Sequence, residues 1–259
     1  MTPSMGSNLL SLARDLQRRK ARRRRGATVI EGVRLIEEAL AADVTMRGVL
    51  VQEAFGGDPR TASLLRNLAD RGVPVQEISA RELEEIADTQ TPQGIVAIVA
   101  TAWATLVDVV PAARGPVLVL DAVQDPGNVG ALLRTAWALG ASGAIALDGT
   151  VDITNPKVSR AAMGATFRFR VATATLGEFM QWVRKHEVRL WVADTEGAPL
   201  TKLVIPERLA VVVGNEGAGI RPEFEDVGFQ RVAIPLSRGV ESLNVVVAAG
   251  IVLHRVMHA

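Results

Sequence analysis

Between residues 117 and 234 the chain carries a series of short runs made largely of Val, Leu, Ile and Ala. Val117–Leu120, Ala144–Leu147 and Leu209–Val213 are the purest, with Val188–Ala193 interrupted by Arg189 and Arg168–Val171 and Arg231–Ile234 less uniform. The purest runs do not alternate apolar with polar residues, so each needs apolar cover on both faces. That is the pattern of strands in a parallel sheet clothed by helices on both sides. Helical spacing at Val129–Leu139, Pro156–Met163, Leu176–His186, Pro222–Val227 and Leu243–Met257 supplies the cover. The alternation predicts an α/β domain with a mainly parallel sheet over 116–259.

A smaller set of elements precedes it. Strands are expected at Ala27–Ile30, Gly48–Val51, Val73–Ile78 and Gly94–Ala100, with helices at Val33–Ala41, from Asp58-Pro59 to Asp70, and at Ala80–Ala87 behind a Ser79 cap. These define a small α/β domain over 26–101. Residues 102–115 are weakly patterned and punctuated by Pro111 and Gly115, as a linker would be.

The formal charge of +1 conceals an asymmetry. Arg14–Arg25 holds eight basic residues and one acid, a local +7, so the remainder of the chain carries −6. A segment so charged is either a solvated helix face or tail, or a contact for a polyanion. Seven arginines to one lysine favour phosphate, whose oxygens the guanidinium fork meets at two points. This basic arm over 1–25 is expected to continue a short helix marked by Leu9, Leu12, Ala13 and Leu16.

The chain has no cysteine, which removes disulfides, thiolate metal sites and thiol catalysis, and its three scattered histidines argue against a metal cluster. The first residues contain no apolar core of signal-peptide length, and Val245–Leu253 is about half a bilayer span, so a cytoplasmic protein without a membrane anchor is expected. Trp137, Trp182 and Trp191 read as core residues, and with 4% aromatics a base-stacking platform is not expected.

Three turns stand where an apolar run meets a loop or a helix start: Asp125-Pro-Gly-Asn-Val-Gly-Ala-Leu-Leu-Arg134, Val213-Gly-Asn-Glu-Gly-Ala-Gly219, and Ile234-Pro-Leu followed by Glu241-Ser-Leu-Asn-Val245. Each has a plain structural explanation. Asn128, Ser242 and Asn244 can cap helices, the glycines can serve a tight turn, and Arg134 can snorkel from an apolar helix. The glycine turn reads G-x-x-G-x-G, not the G-x-G-x-x-G of a dinucleotide loop, which speaks against a nicotinamide-dependent oxidoreductase.

Taken together and in order, these residues closely resemble the three motifs of the SpoU/TrmH branch of the SPOUT methyltransferases. The resemblance extends to Val29-Ile-Glu-Gly32, Arg34 and Thr91-Pro-Gln-Gly-Ile95, which are similar to that family's substrate-binding domain. It implies an α/β-knot, a mainly parallel sheet with a trefoil knot, behind a small N-terminal α/β RNA-binding domain. It also implies an S-adenosylmethionine-dependent 2′-O-ribose methyltransferase acting as a homodimer through the C-terminal domain. By matching position, Gly214, Ile234 and Leu243 line the cofactor pocket, with Thr195 a further member. Arg134, Asn128, Glu216, Ser242 and Asn244 match the catalytic and RNA-positioning residues. The separate N-terminal domain favours ribosomal RNA over tRNA as the structured RNA substrate. A non-catalytic RNA-binding module of the same fold is the alternative, and the intact polar residues oppose it.

Overall fold

The computed structural model describes residues 6–53, 55, 57–89, 91–101, 104–111, 115–215 and 217–258. The chain forms two compact units, one comprising Met1–Ala102 with Thr154–Phe167, the other Trp103–Ile153 with Arg168–Ala259.

In the first unit the order is α1 (Gly6–Asp15), α2 (Arg19–Arg25), β1 (Ala27–Glu31), α3 (Val33–Ala41), β2 (Met46–Gln52), α4 (Pro59–Asp70), β3 (Val75–Ile78), α5 (Ala80–Ile86) and β4 (Ile95–Ala100). The sheet runs β1-β4-β2-β3, with β4 antiparallel to both neighbours and β2 parallel to β3. Side chains alternate across it, so it has two apolar faces. Ile30, Val49, Val51 and Ile95 pack with α3 and α4; Val29, Leu50, Val96 and Ile98 pack with α1 and α5. Asp58 caps α4 and Ser79 caps α5 in a reciprocal box with Glu82.

The basic segment is therefore two folded helices. Leu10, Ala13 and Leu16 are buried, and Arg22 is only 5% exposed. Arg22 Nη1 donates to Leu16 O (3.1 Å) and Gln17 O (2.8 Å), and its Nε donates to Thr154 Oγ1 (2.9 Å). It fills the carbonyls left at the end of α1 and fixes the break before α2.

The second unit holds β5 (Val117–Leu120), α6 (Pro126–Ala138) and β6 (Gly143–Leu147). After α7 (Pro156–Ala162), which belongs to the first unit, and the short α8 (Ala165–Arg168) come β7 (Val171–Ala174), α9 (Leu176–His186), β8 (Arg189–Pro199), β9 (Leu209–Val213), β10 (Gln230–Ala233) and α10 (Val245–Met257). The six strands run β10-β8-β9-β5-β6-β7 and every pairing is parallel. One face buries Val117, Val119, Ile145 and Val212 against Phe179, Trp182 and Phe224. On the other, α10 packs on α6, β8 and β9. Within the stretch read as a linker, Val109 is fully buried here and accepts a hydrogen bond from Trp182 Nε1 (3.0 Å).

Several expected elements differ. Residue Arg168 ends a helix, and the strand expected at Arg168–Val171 begins only at Val171, where Ala144 pairs with it. Pro222–Val227 is a 3-10 turn. Helix α10 begins at Val245, so Leu243 precedes it. Trp182 and Trp191 are buried, but Trp137 is 41% exposed on α6, with the Arg168 guanidinium 6.0 Å from its ring centre. No described helix is long and apolar enough to cross a membrane.

Candidate active site

The carboxyl ends of β9 and β10 and the outer half of β8 enclose a cavity of about 710 Å³ within the second unit. This is where loops of a parallel sheet present backbone groups to a ligand.

The first wall is the loop after β9. A Cβ on Gly214 would lie 2.5 Å from the carbonyl carbon and oxygen of Gly219, so only glycine allows the two backbones to approach this closely. Asn215 and Gly219 exchange backbone hydrogen bonds of 3.0 Å in both directions. Asn215 Oδ1 accepts from Gly217 N and Ala218 N (both 3.0 Å), and its Nδ2 donates to Ala122 O (3.1 Å). Beyond the loop, Arg221 N and Nε donate to the fully buried Asp121 (2.8 and 2.7 Å), and Arg221 Nη1 reaches Asp148 (2.9 Å). Burial pulls the Arg221 pKa down, but its bonds to Asp148 and Asp121 outweigh this and raise it.

The second wall comes from an irregular strand. Arg231 pairs with Val192, but Val232 pairs with Ala198, so Ala193–Gly197 is left as an extended bulge. A Cβ on Gly197 would sit 2.5 Å from the backbone of Arg231 and Val232, which locks the bulge onto β10. Asp194 accepts from Glu196 N (3.0 Å) and pairs with Arg231. The Glu196 bond leads in lowering the Asp194 pKa; partial burial opposes it and the Arg231 pair adds to it.

The third wall is the approach to α10. Asn244 Oδ1 accepts from Val246 N (2.9 Å) and caps the helix, while Asn244 Nδ2 donates to Asn128 Oδ1 (3.3 Å). Asn128 is not the cap of α6. Asp125 is, accepting from Asn128 N (2.7 Å), with Pro126 at the first helical position. A helix end has room for one cap, and this leaves the Asn128 side chain directed to Asn244.

Of the residues expected to hold a cofactor, Gly214, Ile234, Leu243 and Thr195 all line the cavity. Ser242 and Asn244, expected on the RNA side, line it too; Asn128 reaches it through Asn244. Arg134 is exposed on α6, about 9 Å along the axis from Asn128 at 1.5 Å per residue. Among the described residues its side chain has no hydrogen-bond or ion-pair partner. Glu216 lies outside the described residues. Sequence reasoning missed Asp194, Asn215 and Arg231 on the walls, and the Asp121–Arg221 pair behind them. Asn215 was within reach, since it lies inside the glycine turn; the bulge carries no local signal.

Comparison with known proteins agrees with this architecture. The family model described as the SpoU rRNA Methylase family matches residues 115–254, and one described as an MRM3-like substrate binding domain matches residues 11–97. The chain is 33% identical over 242 residues to the 23S rRNA (guanosine(2553)-2′-O)-methyltransferase RlmP of Bacillus subtilis (strain 168), covering 93% of this chain and 92% of that protein. It is 33% identical to the 23S rRNA (adenosine(1067)-2′-O)-methyltransferase of Streptomyces laurentii, over 88% of this chain and 84% of the relative. Among solved structures, the AdoMet-bound rRNA methyltransferase from Sinorhizobium meliloti superposes with a TM-score of 0.84 at 27% identity, covering 98% of this chain and 95% of that one.

Proposed function

The chain belongs to the SpoU rRNA methylase family, and from that premise we propose that it methylates a ribose 2′-hydroxyl of ribosomal RNA with S-adenosylmethionine as donor. The observation that carries the reading is convergence. Residues as far apart in sequence as Thr195, Gly214, Ile234 and Leu243 line one cavity, with Ser242 and Asn244 beside them and Asn128 bonded to Asn244.

The cavity suits the cofactor. Its volume lies within the range of small-molecule sites. Its walls combine apolar side chains such as Ile234 and Leu243 with backbone groups at three loop ends, and the Asp194–Arg231 pair adds a polar edge. S-adenosylmethionine, when bound, supplies a methyl group already activated by its sulfonium. The chain's own task is to align the acceptor hydroxyl and stabilise the charge it develops. Gly214 holds the β9 loop close enough for backbone recognition, and the Asn244–Asn128 bond ties the start of α6 to the cavity wall. Arginine side chains keep their proton in proteins, so Arg134 acts as a cation that holds an RNA phosphate and stabilises a developing alkoxide. Glu216 joins Asn128, Ser242 and Asn244 in positioning the RNA.

Three finer points belong to the same reading. The insertion of β9 between β5 and β8, with α10 packed back on α6, supports a knotted C-terminal segment. Exposed Val247 and Ile251 on α10 and exposed Trp137 on α6 support a homodimer through the C-terminal unit. Action on ribosomal RNA supports a cytoplasmic location. The test of the chemistry is Arg134→Ala: methyl transfer disappears while S-adenosylhomocysteine still binds, read by titration calorimetry. Turnover within a few-fold of wild type would remove Arg134 from the reaction.

A further inference from the structure

The first unit contains a second concavity, of about 520 Å³, with five arginines on its lining: Arg14 in the last turn of α1, Arg18 just before α2, Arg24 and Arg25 in the last turn of α2, and Arg47 on β2. One carboxylate, Asp15, stands among them. It pairs with Arg18, with Arg24 (3.1 Å) and with Arg25 (3.3 Å). Arg14 turns to Glu85 on α5 (2.7 Å). Arg47 Nη2 donates to Arg25 O (2.7 Å) and Gly26 O (3.3 Å), setting a cation on the carbonyl end of α2.

The arginine side chains are solvent-exposed, but the fold sets their positions. The break between α1 and α2 is held by the buried Arg22, and it is this fold-back that carries Arg24 and Arg25 to Asp15. Five guanidinium groups face two carboxylates, Asp15 and Glu85, so three positive charges are in excess in one small cleft. Like charges at helical spacing oppose folding, and α2, Arg-Lys-Ala-Arg-Arg-Arg-Arg, is made of them. A chain that keeps such a cluster ordered with only two acids beside it is preorganised for an anion of matching geometry.

We propose that this cleft binds the phosphodiester backbone of the substrate RNA, apart from the methyl-transfer cavity; the proposal rests on the RNA reading above. Guanidinium forks meet phosphate oxygens at two points, and several forks in one cleft suit consecutive phosphates of a strand. Asp15 is the organiser, since three of the five arginines take their direction from it. Arg19 and Lys20, equally basic and exposed, lie outside the cleft.

The test compares two double variants of the full chain that lose the same charge, Arg18→Ala with Arg24→Ala and Arg19→Ala with Lys20→Ala. Arg18 and Arg24 side chains are 75% and 60% exposed, so neither change enters the core. Affinity for ribosomal RNA is measured across a salt series. The first pair is expected to weaken binding by about tenfold or more and to lower the magnitude of the salt slope by roughly 1.5, as for two phosphate contacts. The second pair is expected to move the slope by less than half as much. Equal effects from both pairs would mean a diffuse field, and no effect from the first pair would mean no contact; either overturns the cleft. Methyl transfer at saturating RNA separates the two readings. A wild-type protein that binds RNA through the cleft but transfers no methyl group would sink the enzymatic reading and leave the cleft.

Discussion

At the scale of single residues, what a side chain does depends on whether its neighbours leave it free. Arg22 carries the same charge as the arginines around it, yet it is buried and spends its donors on the chain's own carbonyls. Composition alone grouped it with arginines that favour a phosphate contact. Asn128 looks like a helix cap, but Asp125 holds that post, and Asn128 bonds to Asn244 instead. Gly214 and Gly217 look equivalent in the glycine turn and are not. A Cβ at 214 meets backbone at 2.5 Å, whereas one at 217 meets only the Asn215 side chain at 3.6 Å. Gly214→Ala should therefore weaken S-adenosylhomocysteine binding by tens-fold or more and Gly217→Ala by no more than a few-fold. Comparable losses in both would show that the close approach at 214 is not what shapes the cavity. The motif residues were legible because their spacing is distinctive. Asp194 and Arg231 were not, because nothing local marks them as neighbours.

At the scale of elements, caps and apolar runs were readable and irregularity was not. Helix α9 spans Leu176–His186, as its spacing predicts, and Thr175 closes its start in a capping box with Glu178. Thr175→Ala should cost about 1 kcal/mol, a drop in melting temperature of roughly 2–4 °C, with methyl transfer retained. The backbone N–H of Thr175 is the leading cause of a lowered Glu178 pKa and survives in the variant; the Thr175 hydroxyl, which the variant removes, lowers it further. A depressed carboxylate stabilises the fold above its unfolded pKa and loses that effect as pH falls through its folded value. The gap between wild type and variant should thus be full at neutral pH and narrow in acid; a gap that widens in acid would contradict the box. Strand β8 shows the limit of such reading. Val188–Ala193 is visibly apolar, but its continuation to Pro199 pairs with β10 only after the five-residue bulge that forms a cavity wall. Strand β7 was displaced because Val-Ala-Thr-Ala is a weak strand signal, decided by pairing with β6.

At the scale of the whole molecule, strands were legible and their neighbours were not. Continuous apolar runs announce a parallel sheet, but the order β10-β8-β9-β5-β6-β7 is a nonlocal choice that no run encodes. The same holds for Thr154–Phe167, which lies inside the later half of the chain and packs with the first unit. The proposed homodimer rests on the surface of α10. Val247 and Ile251 are 49% and 39% exposed on α10, one turn apart. On the proposed homodimer, wild type sediments as a dimer at micromolar concentration and Ile251→Asp as a monomer; a monomeric wild type, or an unchanged mass in the variant, would contradict an interface on α10. The central claim concerns chemistry, and mapping the product tests it most directly. Ribosomal RNA is incubated with S-adenosylmethionine and either wild-type protein or Arg134→Ala, and the new methyl groups are located. A methyl group on a ribose 2′-oxygen, formed by wild type and absent with Arg134→Ala, is the expected result. Methylation on a base, or none by the wild-type protein on any ribosomal RNA, would contradict the account.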